Sequence, residues 1–192
     1  MPTTLEPSAQ TSDVYVMLLR GINVGGNNKL AMRDLSDLLK GLGCSDIKTY
    51  IQSGNAVLRA PPSVVTQLAY AVRTCIAMKL GLTVPVVLRS ASELRDIFTN
   101  NPFALAAHDP DHLHVAFLAD HPTPEHLLTL DPARSPPDEF IVRGQDLYLL
   151  LPNGVAKTKL SNAWLDSKLK TTSTVRNWRT VEQLVKMTEG LQ

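Results

Sequence analysis

Short runs of aliphatic and β-branched residues alternate along this chain with longer stretches whose apolar positions recur every three or four residues. The run VYVMLLR at 14–20 suits a buried strand. Past a glycine-rich loop, Met32, Leu35, Leu38, Leu39 and Leu42 fall at helical spacing, and Gly43 supplies a stop. Residues 47–52 and 56–60 read as strands joined at Ser53-Gly54-Asn55, a hairpin signal. Ser63 is expected to cap a helix whose apolar face runs from Val65 to Leu80 and which Gly81 ends. A strand at 84–89 completes a β-α-β-β-α-β order. A capping box, Ser90 to Glu93, then opens a helix carrying Leu94, Ile97 and Phe98, and the stretch from Pro102 to Pro110 connects to the rest.

The second half repeats the grammar. A strand at 114–119 leads to Thr123-Pro124, with proline at the first helical position. Residues 139–143 and 146–151 form a hairpin around Gly144-Gln145, glycine first as a type II′ turn requires. Ser161 caps the next helix, with Leu160 and Leu165 as a hydrophobic staple, and 174–177 is a short last strand. The final helix is expected to start at Thr180, where Thr180, Gln183 and Leu184 mirror Ser90, Glu93 and Leu94, and Arg176 echoes Arg89.

The predicted fold class is therefore α+β: a tandem pair of ferredoxin-like β-α-β-β-α-β units forming two antiparallel sheets with packed helices. Residues 1–12 are expected to be a disordered tail, 13–100 the first half and 101–192 the second, the halves joined in one body with helices on one face of each sheet. In such a unit the first two strands run parallel, so the loop at 21–28 and the hairpin at 53–55 emerge at the same sheet end. In the second half the loop at 153–159 and the strand end at 176–178 share an end likewise.

Composition narrows the function classes. Nineteen basic against eighteen acidic residues give a net charge of +1, unlike a chain whose main work is coating nucleic acid. Aromatics make up 5%, few for a base-stacking sheet, and the strands VYVMLLR and AVLRA offer only Tyr15. Cys44 and Cys75 lie in no metal-type or disulfide spacing and read as reduced thiols. The first dozen residues lack the basic start and apolar run of a signal peptide, and no stretch nears the roughly 20 apolar residues of a membrane span. A cytoplasmic location is the expectation.

Candidate chemistry concentrates in two polar clusters. In the loop Arg20 to Lys29, glycines free backbone amides before a helix, beside two cations, an arrangement that suits an anionic group. It is neither a Walker A loop nor GxGxxG. The alternative is a long turn whose glycines take positive φ and whose asparagines cap the helix. Lys157, Lys159, Ser161 and Asn162 open a helix and serve either as a second anion cradle or as a solvated loop with an ordinary cap. Arg176, Asn177 and Trp178 offer a guanidinium, an amide and a flat ring, although Trp178 reads better as core.

The run LLRGINVGGNNKL followed by YIQSGN closely resembles the opening of the mainly bacterial domain-of-unknown-function (DUF) family 1697. The likeness continues through Asn101-Pro102-Phe103, Leu113-His114-Val115, the KTKLSN run at 157–162 and the segment from Thr174 to Trp178. The resemblance implies an α+β sandwich and no particular activity. Its matched positions are loop glycines and polar residues, which points to a site more than matched core would.

The expected ligand-binding set is Arg20, Gly21, Asn23, Gly25, Gly26, Lys29, Ser53, Gly54, Asn55, Lys157, Lys159, Arg176 and Asn177. Arg20 and Lys29 are expected to share a cavity with the Gly25-Gly26 amides and the hairpin. The second cluster joins them only if the halves pack so that opposite sheet ends meet. Pairing of Arg20 with a carboxylate on the far side of the sheet would sink that anion site and leave the structural role standing. The sequence singles out no catalytic residue and leaves open whether the chain is an enzyme; no cofactor is expected, and no metal: Asp109-Pro110-Asp111 breaks the helix that would aim His108 and His112 together. The leading expectation is a binding protein or enzyme for a phosphorylated or other anionic small molecule. A nucleic-acid-binding module and a structural or protein-interaction role are the alternatives.

Overall fold

The computed structural model describes residues 12–191. The expected tail at 1–12 therefore lies, apart from Ser12, outside the described residues. The first half runs β1 (Asp13–Leu19), α1 (Met32–Gly41), β2 (Ser45–Tyr50), β3 (Asn55–Ala60), α2 (Pro62–Leu80), β4 (Val86–Ser90) and α3 (Ala91–Thr99). A short helix, α4 (Pro102–Leu105), and a 3₁₀ turn at Pro110–His112 lead into the second half. That half comprises β5 (Leu113–Leu118), α5 (Pro124–Leu127), β6 (Glu139–Arg143), β7 (Asp146–Leu150), α6 (Asn162–Leu169), β8 (Ser173–Asn177) and α7 (Trp178–Glu189).

Two antiparallel four-stranded sheets result, ordered β2-β3-β1-β4 and β6-β7-β5-β8, the same order in each half. The register agrees too. Val16 stands opposite Arg89 and Leu18 opposite Asn55, as Val115 stands opposite Arg176 and Phe117 opposite Asp146.

Strand alternation divides the core into three layers of apolar contact. Met17 and Leu19 of β1 face α1 and α2, while Val14, Val16 and Leu18 face the other half. In β5, Ala116 and Leu118 face α6, and Leu113, Val115 and Phe117 point into the shared layer.

The shared layer is filled by α3 and α7, which pack on each other through Phe98 stacked against Trp178 with ring centroids 5.0 Å apart. Helix α7 also packs on β1, β3, β5 and β8, so it lies between the two sheets. Its buried positions Trp178, Val181, Leu184, Val185 and Thr188 follow the i, i+3, i+4, i+7 rule that a helix with one covered stripe requires. The expectation of helices on one face of each sheet is thus corrected. A split β-α-β-β-α-β pattern accounts for α1, α2, α5 and α6, and the extra helix after each last strand covers the opposite face.

Two helix starts also differ from expectation. Helix α2 begins at Pro62 with Pro61 at the N-cap position, so Ser63 lies inside its first turn. Proline at the first helical position fixes the start earlier than a serine cap would. Helix α7 begins at Trp178, where Asn177, not Thr180, caps it by accepting from the Thr180 amide. The true mate of the Ser90 cap is therefore Asn177. The Ser90–Glu93 capping box, the Ser161 cap and the Thr123 cap form as expected.

Candidate functional site

The loop after β1 is knitted by its asparagines. The Asn23 side-chain amide donates to Leu30 O and Gln52 O at 2.8 Å each, and Asn23 Oδ1 accepts from the Leu30 amide. Asn28 Nδ2 donates to Gly21 O. The asparagines thus close the loop and sew it to the β2–β3 hairpin, and Ala31, with no side-chain bond, stands at the cap of α1. Gly25 and Gly26, at φ +57° and +81°, lie exposed at the tip beside exposed Lys29. In the hairpin Gly54 is dictated by packing: a Cβ there would come within 2.7 Å of the Leu19 Cβ.

Arg176, from β8 of the second half, reaches across to this hairpin. Its Nε donates to Asn55 Oδ1 at 2.6 Å, and Nη2 donates to Leu19 O at 2.5 Å and Ser53 O at 3.2 Å. Nη1 donates to Thr174 Oγ1 and Val175 O. All the guanidinium's donors therefore meet neutral acceptors, and among the described residues no carboxylate lies within ion-pairing distance of Arg176. Burial pushes its pKa down to about 10.

Arg20 crosses in the opposite direction. Its Nη1 donates to Asp166 Oδ2 and to Ser173 O, both at 2.7 Å. Asp166 Oδ1 accepts from the Ser173 amide and hydroxyl, also at 2.7 Å each. Opposite sheet ends do meet at the seam, bringing Arg20, Ser53, Asn55 and Arg176 together. Arg20, however, is turned towards α6 and away from a cavity shared with Lys29. Its pairing with Asp166 counts against the anion site expected of Arg20 and Lys29 together, and gives Arg20 a structural role.

A second junction, which sequence reasoning did not assemble, mirrors the first. Arg89 of β4 crosses to the second half, where Nη2 donates to Leu118 O, Gln145 O and Asp146 Oδ1 at 2.8, 3.0 and 2.9 Å. Nη1 donates to Leu88 O, as Arg176 does to Val175 O. Leu118 and Asp146 hold the places in the second sheet that Leu19 and Asn55 hold in the first. The difference in charge is that Arg89 has a buried carboxylate, reached through Nη2, where Arg176 has an amide, reached through Nε. Burial raises the Asp146 pKa, with the Arg89 charge pulling the other way. The signal available in the sequence was a charged residue inside the apolar strand VVLRS, matched by Arg176.

The remaining expected residues are dispersed. Among the described residues no hydrogen bond or ion pair ties Lys157 or Lys159 to the first junction's loop, and the Lys159 amide donates to Ser135 Oγ. Asn177 is spent as the cap of α7, and Trp178 is core at 6% exposure. His114 is buried and its pKa is lowered by that burial. Among the described residues no group of three or more His, Cys, Asp or Glu side chains is placed to hold a metal ion. Cys44 and Cys75 are free thiols, and burial pushes the Cys44 thiol up to about 11. No helix among the described residues is long and apolar enough to cross a membrane.

Comparison with solved structures finds the conserved bacterial protein SP0830 from Streptococcus pneumoniae, at a TM-score of 0.71 and 22% identity, covering 93% of this chain and 99% of that one. At that identity the likeness speaks for the fold. No curated protein matches the sequence. The family described as "Protein of unknown function (DUF1697)" matches residues 13–148, well over half of the chain, and the protein belongs to that family.

Proposed function

We infer that the first junction recognises a small phosphorylated or otherwise anionic ligand at the loop 21–29 and the β2–β3 hairpin. The observation that carries the reading is Arg176, a half-buried guanidinium satisfied entirely by neutral groups. An uncompensated charge in a seam partly closed to solvent costs folding energy, and an anion nearby offsets that cost. The exposed Gly25-Gly26 backbone, Lys29 and the start of α1 supply direct contacts beside it. The ligand would feel Arg176 through its field, since the donors themselves are occupied.

On this reading the halves are tandem ferredoxin-like units descended from a duplication, supported by equal strand order, equal register and the reciprocal Arg89 and Arg176 crossings. A cytoplasmic setting accords with the two free thiols. Helices pack on both faces of the central strands, which favours a small ligand over bases stacked on an open sheet.

A second reading, a purely structural latch, is favoured by the Arg20–Asp166 pair and by the full use of Arg176's donors. Isothermal titration with phosphate, pyrophosphate and common nucleotides separates the two. Under the anion reading at least one of these binds saturably, and Lys29→Ala weakens it about tenfold, roughly 1.4 kcal/mol. Absence of binding by all of them leaves the latch.

A further inference from the structure

The second junction opens to solvent as a cleft of about 210 Å³ whose floor is the Arg89–Asp146 pair. Its walls come from different halves. One is α3, where Glu93 and Asp96, three residues apart, share a helix face above Ile97. The other is the β6–β7 turn and the segment after β5, which bring Arg143 and His121. His121 lies over the turn, its Cε1 3.9 Å from where a Cβ on Gly144 would sit.

Charge is therefore sorted across the cleft, acid on one wall and base on the other. Among the described residues Asp96, Arg143 and His121 take part in no ion pair. The lining carries three carboxylates against two guanidiniums, so a simple anion meets net repulsion there. A simple cation is drawn to one wall and repelled by Arg143. A molecule with both charges a few ångströms apart satisfies both walls at once. The volume, below the roughly 300–1,000 Å³ of sites for drug-sized molecules, limits the occupant to a few heavy atoms.

We propose that this cleft binds a small zwitterion of the amino-acid class, its ammonium held by Asp96 and Glu93, its carboxylate by Arg143 and His121, and its carbon chain against Ile97. Both Glu93 and His121 exert their charge on Asp146 at the floor, in opposite senses, as groups flanking it from two walls must. Glu93 Oε2 is engaged with the Ser90 amide and hydroxyl, which fixes that side chain and leaves Asp96 the main ammonium partner. This inference does not rest on the anion reading of the first junction.

The test is isothermal titration of the full chain with glycine, L-alanine, β-alanine, L-glutamate and L-lysine, with acetate and ethanolamine as single-charge controls. The expected result is saturable binding of at least one amino acid, weakened about tenfold by Asp96→Asn and by Arg143→Gln, with neither control binding comparably. Both positions are exposed, so unchanged denaturation midpoints will show that the variants fold. Failure of all five amino acids to bind overturns the proposal. So does equal binding by ethanolamine, which would mark a plain cation site, or binding indifferent to both substitutions.

Discussion

The two seams of this molecule are built on one plan and differ most in the third-strand side chain that meets the arginine, an amide in one and a carboxylate in the other. At each, an arginine from the last strand of one half reaches the end of the first strand and the start of the third strand in the other half. At the second seam Arg89 meets Asp146, with side chains 4% and 10% exposed, and the charges cancel. At the first, Arg176 meets Asn55 and its charge stands. The crossing to matched backbone carbonyls, Leu118 O and Leu19 O, is kept with and without a counter-ion, so that contact serves the joining of the halves while charge is free to serve something else.

The largest expected effect comes from breaking the neutralised seam. Asp146→Ala leaves Arg89 buried and unpaired, at about 3–5 kcal/mol of stability. Asn55→Ala removes one neutral acceptor from an arginine that keeps its bonds to Leu19, Ser53, Thr174 and Val175, at about 1–3 kcal/mol. Urea denaturation midpoints that rank the two in reverse would break the comparison.

Next in size are the ends of the helices that fill the layer between the sheets. Ser90→Ala and Asn177→Ala each remove an N-cap bond, and each should cost about 1 kcal/mol. Equal losses sharpen the correspondence of α3 and α7; no loss from Asn177→Ala would restore Thr180 as the start.

Arg20→Ala tests an arginine crossing that has no mate at the second seam. Its pair with Asp166 is about a quarter exposed on each side, and Asp166 keeps both Ser173 bonds, so the cost should stay within about 1 kcal/mol in the same denaturation assay.

The smallest effect is in pH. Burial raises the Asp146 pKa in the folded state. The folded state then holds that proton more tightly than the unfolded one. The group's contribution is most favourable below its unfolded pKa and is lost as pH rises through its folded pKa. Relative to Asp146→Asn, the natural protein should therefore gain stability as pH falls across that window. A relative loss on acidification would mean that Arg89 outweighs burial.

Much of the fold is legible in the sequence because local chemistry settles it. Apolar runs mark the strands, Gly144 and Gly54 the hairpins, and Ser90 with Glu93 writes out a capping box. Ser63 misleads because a proline that fixes the first helical turn outweighs a serine cap. Thr180 misleads because side-chain spacing is a weaker guide than sheet register, which pairs His114 with Asn177 as it pairs Tyr15 with Ser90. The seams are half legible. Arg176, the hairpin and the echo at Arg89 all stand out along the chain. Asp146, just past a turn, has the sequence context of a solvated carboxylate; only packing of one half on the other buries it. Arg20 looks free for the same reason, its partner lying 146 residues away.

Most at stake is the claim that the unbalanced charge of Arg176 makes the first seam an anion site. The direct measurement is isothermal titration of pyrophosphate into the natural protein and into Asn55→Asp. That change sets a carboxylate against Arg176 Nε; the Ser53 hydroxyl can turn to donate to it, and the contact given up is the 3.3 Å bond to Tyr50 O. The expected result is binding to the natural protein and its loss in Asn55→Asp, with Asp146→Asn still binding. Equal binding by Asn55→Asp and the natural protein would contradict the claim.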